Sequence, residues 1–254
     1  MNKTKSFLRS PVFTTVLFVI AAALFLAGGI GGTLAALTYS DTYVSRVEMK
    51  RIGVSLIENE EVISSRDYSA AGDGTWVTTG GTLLSGMLAD DEMLELGVKY
   101  PEALAVRNSG NIDEYVRIKI YRYWVDGKGN KLTGRPTDPI ELNIITGDNW
   151  VIDDDSSTSE RTVLYYKKAL APGEDTDVLS DTLKIDDIIA TKVTETVTRD
   201  GEYITRTRIY DYDGISFVIE AEADAVQTHS AEDAILSAWG CKVTIEDGVL
   251  SLAG

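Results

Sequence analysis

A chain of 254 residues, 44% hydrophobic and 25% charged, is long and apolar enough to bury one sizeable core, and such a length is often a single all-β unit. Its 40 acidic residues against 24 basic ones leave a net charge of -16. A surface that acidic repels phosphate backbones and anionic lipid headgroups, which argues against nucleic acid as a partner.

The first charges are Lys3, Lys5 and Arg9, followed by the apolar run Val12 to Ala27 and the small residues of Gly28 to Ala36. A cationic start, an apolar stretch and a small-residue end make the layout of a secretory signal. Small side chains at Thr33 and Ala35 place the cut between Ala35 and Ala36, giving a signal peptide over 1–35 and one secreted domain over 36–254. The apolar run is also close to the roughly 20 residues that span a bilayer, so an uncleaved membrane anchor is the alternative. In either case the acidic bulk is exported and only this segment meets the membrane.

After Asp41 the apolar period is mostly two, the repeat of a half-buried strand. Residues 63–81, rich in Gly and Ser, read as an exposed loop or hairpin. In Tyr115 to Trp124, Val116, Ile118, Ile120 and Trp124 share one face, and Arg122 suggests that the strand leaves the core near its end. Turn signals at Asn108–Asn111, Asp126–Asn130, Asp200–Gly201 and Asp247–Gly248 read as hairpins. Further strands are expected over 162–167, 188–198, 203–210 and 215–225. In the last, an inward face of Phe217, Ile219, Ala221 and Ala223 tapers to alanine and leaves room for something larger to pack over it.

One short helix is expected at Ala231 to Trp239, opened by a capping box of Ser230 and Asp233, closed by Gly240, and striped with Ile235, Leu236 and Trp239. It should lid one end of the sheets before two final strands over 242–245 and 249–252. Strands at this density with so few helices predict an all-β, antiparallel β-sandwich.

No catalytic set emerges. One histidine, His229, cannot supply a two-histidine zinc site, and it reads instead as the residue before a helix cap. No G-x-S-x-G and no phosphate loop is present, and paired carboxylates such as Asp186 and Asp187 read as a solvated face in a chain this acidic. The lone Cys241 forms no intrachain disulfide and is expected to be buried. Asp153, Asp154 and Asp155 offer oxygen ligands for a weak calcium site but lack the spacing of an EF-hand loop, so no cofactor is required.

The segment Gly31-Gly32-Thr33-Leu34-Ala35-Ala36-Leu37 with Ser40-Asp41 resembles the export junction of the TasA/camelysin family of secreted Gram-positive biofilm matrix proteins, which the signal peptidase SipW processes. Asn108-Ser109-Gly110 is similar to the family's N-x-G turn, and Leu170-Ala171-Pro172-Gly173-Glu174 to its L-x-P-G-[DE] loop. The resemblance implies a jelly-roll sandwich and a non-enzymatic matrix subunit, with copies of itself or related subunits as partners. It also implies fibres built by donor-strand exchange, the N-terminal segment of one subunit inserting into the next. Residues 36–47 suit that part, through Leu37, Thr38, Tyr39, Thr42, Tyr43, Val44 and Val47, although the same segment could pair within its own subunit. A cell-surface binding module, held by the uncleaved helix of Val12 to Ala27 or by a partner, is the other reading.

Overall fold

The structure, a computed structural model, describes residues 12, 15–24, 50–68, 75–89, 92–200 and 203–253. It divides into two compact units, 1–48 and 49–254. In the first, residues 15–24 are helical and exposed. No helix among the described residues is long and apolar enough to cross a membrane. The expected cleavage pair Ala35 and Ala36 and the whole candidate donor segment lie outside the described residues.

The second unit is built of antiparallel strands: β1 Gly53–Glu58, β2 Glu61–Tyr68, β3 Trp76–Thr79, β4 Lys99–Pro101, β5 Leu104–Asn108, β6 Glu114–Val125, β7 Ile140–Ile144, β8 Trp150–Ile152, β9 Arg161–Tyr166, β10 Ser180–Ile185, β11 Val193–Asp200, β12 Tyr203–Tyr210, β13 Ser216–Gln227, β14 Val243–Glu246 and β15 Val249–Leu252, with one helix, α1, Ala231–Trp239. One sheet has the order β3-β2-β1-β5, and the opposing one β13-β6-β9-β8. A third, β4-β10-β7, continues beside β5, because Leu179 N–H donates to the Leu104 carbonyl and Thr176 N–H to that of Val106, both at 2.8 Å.

β6 shows why these residues form a sandwich. Its period of two turns Val116, Ile118, Ile120 and Trp124 into the core, where they meet Leu56 of β1, Leu104 of β5, Leu183 of β10 and Ile219 of β13. Burying each such aliphatic side chain is worth about 1.5–3 kcal/mol relative to exposure. The opposite face of the same sheet carries Tyr115, Val163 and Tyr165, covered by Ile235 of α1, Val243 of β14 and Leu250 of β15. The sandwich therefore has a third, partial layer, and α1 lies on a sheet face rather than closing an end.

Local expectations divide by whether their partners are close in sequence. Asp247 and Gly248 take positive φ, 51° and 80°, and form the two-residue turn of the β14–β15 hairpin. β11 and β12 pair as expected, and of the two readings of 63–81, loop or hairpin, the pairing of β2 with β3 favours the hairpin. The Asn108–Asn111 turn is not a hairpin: it carries the chain from β5 in one sheet to β6 in the other. Asn108 enforces that crossing, its Nδ2 donating to the Ile112 carbonyl at 2.7 Å and to that of Leu170 at 2.9 Å, while Gly173 N–H donates to the Asn108 carbonyl at 2.8 Å. The two short motifs thus meet in space.

Other corrections have local causes. Asp187–Thr191 is a 3-10 turn rather than the start of a strand, because Asp186 caps it by accepting from Ile188 N–H. Ser230 makes no side-chain cap and sits at a left-handed φ of 50°, while Glu232, in the first turn, reaches instead to Ile245 N–H at 2.7 Å. Leu236 stays 44% exposed, and the buried side of α1 is Ala231 and Ile235. Gly240 does close the helix, at φ 71°. Arg122 does not end β6: it is half-buried, its Nη1 donating to the Ile140 carbonyl at 3.1 Å, and pairing continues to Val125.

Candidate functional site

β13 ends its sheet: β6 satisfies one of its edges, and the other, with β1 packed close to β13, has no strand hydrogen-bonded to it among the described residues. Across its 12 residues, that open edge makes no backbone hydrogen bond to another strand among the described residues. A cavity of about 370 Å³ runs beside it, walled by Leu56, Ile63, Leu83 and Leu84 on one side and by Phe217 and Ile219 of β13 on the other. Ala221, where the alanine taper begins, lines this space with a small side chain that leaves part of it unfilled. Gly81 brings the far wall in, since a Cβ there would fall on the Ile63 carbonyl, and Leu84 is tied down by its N–H donating to Glu58 Oε1 at 2.6 Å.

Further along the same edge a second cavity, about 350 Å³, is lined by Arg66, Trp76, Arg117, Lys119, Asp224 and Trp239. Its charges converge on Asp224, which takes Arg117 Nη2 at 2.6 Å, Lys119 Nζ at 3.3 Å and Arg66 Nη1 at 3.8 Å. Lys119 also pairs with Glu222 at 2.8 Å. Arg66 stacks 4.9 Å from the Trp76 ring centre and Arg117 4.9 Å from that of Trp239, so two guanidinium groups are held by aromatic faces. The open edge is apolar at one end and charged at the other.

Two buried carboxyls frame β1. Glu102 is fully buried with no hydrogen-bond donor at either carboxyl oxygen. Burial first, and the neighbouring Glu58 second, push its pKa up to about 8, so at neutral pH it is largely the uncharged acid. At the other end Glu114 accepts from Gly53 N–H at 3.0 Å. Burial raises it to about 8, against the lowering effect of that hydrogen bond and with a further push from Asp67. Glu114 holds the start of β1 through Gly53, and protonation lets both acids stay buried without a net charge.

The remaining sequence candidates do not assemble. Asp153 is buried and spends its carboxylate on Ser156 N–H at 3.0 Å, whereas Asp154 and Asp155 face solvent. Among the described residues no group of three or more His, Cys, Asp or Glu side chains converges as metal ligands. Cys241 is half-buried rather than enclosed, and burial raises its thiol above the ordinary range. The Arg and Trp cluster went unread in the sequence because its members come from β2, β3, β6, β13 and α1. The alanine taper of β13 was the one legible sign of the groove.

No family model matches this chain, and no curated protein and no solved structure matches it either. The site therefore rests on its own geometry.

Proposed function

We propose that the protein is a secreted, non-enzymatic structural subunit of an extracellular matrix, whose sandwich is a jelly roll and whose residues 36–47 lie along β13 of the next subunit. The observation that carries this is the edge of β13, 12 residues long and without a strand partner among the described residues, with an apolar groove beside its first half. An unpaired edge is a template for another strand, and the backbone bonds of an added strand supply affinity while pockets for alternate side chains supply register. Leu37, Tyr39, Tyr43 and Val47 alternate on one side of the donor segment and would fill the groove. A contact from one end of a subunit to the groove of the next does not close on itself, so it propagates as a filament.

The test is electron microscopy of the mature chain beginning at Ala36, beside a chain lacking residues 36–47. Filaments from the first and none from the second are expected. Assembly should also be faster in acid, where protonation reduces the self-repulsion of a mature chain that, without Lys3, Lys5 and Arg9, carries -19 rather than -16. A mature chain that stays monomeric at all concentrations and in acid has its donor segment paired at home, and overturns the proposal.

A further inference from the structure

The β11–β12 ribbon is a sheet of its own. Eight residue pairs run without a bulge from Val193 opposite Tyr210 to Asp200 opposite Tyr203, and neither outer edge bonds to another strand among the described residues. A two-stranded ribbon alone is marginal in water. Exposed edges are normally blunted by charges, lysine above all, by proline or by a bulge; β11 has no lysine, proline or bulge, and its charges, Glu195, Arg199 and Asp200, are of both signs. From Val193 to Tyr210 three arginines balance three acids, so the ribbon is neutral in a chain of charge -16 and is spared the repulsion that keeps the rest apart.

The sequence of β11, VTETVTRD, is complementary to itself when two copies run antiparallel about Val197. In that register Val197, 49% exposed, meets Val197, Glu195 meets the position of Arg199, and Thr196 meets that of Thr198. β12 offers no such match, because in-phase pairing about its middle brings the exposed Arg206 and Arg208 of two copies together.

We propose that β11 is a homodimerisation edge, pairing with β11 of a second copy around a two-fold axis at Val197 to form one four-stranded sheet across the two molecules. The contact is isologous and closes at two copies, so it joins molecules sideways and does not depend on residues 36–47.

Position-specific disulfide trapping in the mature chain, in a Cys241→Ser background, tests the register. In Val197→Cys the two Cα atoms lie about 4.5–5.5 Å apart across the axis, within disulfide reach. In Thr194→Cys they lie six residues apart along the strands, about 20 Å, and cannot bridge. Oxidation should therefore give a covalent dimer from Val197→Cys and none from Thr194→Cys, with or without residues 36–47. Equal trapping at both positions, or none at 197, overturns the proposal. In a second arm, Val197→Lys sets two like charges on the axis and should raise the dimer dissociation constant, measured by sedimentation, about tenfold. An unchanged constant also overturns it.

Discussion

β6 has both edges paired and both faces covered, whereas among the described residues β11 and β12 pair only with each other. β13 and β9 flank β6, the core lies on one side, and α1 with the β14–β15 hairpin lies on the other. In the ribbon, by contrast, Val197 and Ile209 are 49% and 59% exposed. Alternating apolar and polar residues suffice to make a strand in either place, but what a strand contributes depends on its neighbours. β6 stabilises the core of its own chain, whereas the ribbon keeps apolar side chains exposed.

The contrast can be broken most forcefully inside β6. Ile118→Ala, at a fully buried position, should cost about 2–5 kcal/mol in chemical denaturation, and a loss no larger than a surface substitution gives would remove β6 from the core. The buried acids come next. Glu102 and Glu114 are both raised to about 8 when folded, so between the unfolded carboxylate range and that value the folded chain holds more protons than the unfolded one. Stability should be highest in acid and fall as pH rises through that window, by at most about 1.4 kcal/mol per pH unit for each group. Glu102→Gln, neutral at every pH, should flatten part of that slope in melts run across the window.

Smaller effects belong to the ribbon and the exposed loop. Glu195→Gln removes two pairs with exposed arginines, at 3.1 and 3.0 Å, and should cost less than about 1 kcal/mol in the same denaturation assay. Excising 193–210 should leave the sandwich folded by circular dichroism, because Asp211 N–H already donates to the Lys192 carbonyl at 2.9 Å and a short turn can join the two. The smallest change is Asp154→Asn with Asp155→Asn, expected within about 0.5 kcal/mol by melting, since both side chains face solvent.

Legibility followed sequence distance. The face of β6, the β14–β15 turn and the Gly240 stop depend on residues within a few positions of each other, and all were readable. Ser230 stands at the N-cap position as read, but its left-handed backbone leaves its side chain without a cap bond, and Glu232 of the first turn accepts from Ile245 N–H of a strand beyond the helix. The Asn108 turn looked like a hairpin because its local chemistry is that of a turn, and its direction is set by Leu170, 62 residues away. Of the site, only the alanine taper on β13 was visible; the groove needed β1, β2 and the loop at Gly81 to face it.

By itself, the sequence determined the β class, the strand faces, the acidity of the surface and the apolar start, because these follow from composition and a two-residue period. Tertiary structure decided which strand was left at a sheet end, where the Arg and Trp side chains converged, and which carboxyls were protonated. Those outcomes depend on neighbours brought from distant positions, and burial and pairing are properties of the neighbours rather than of the strand.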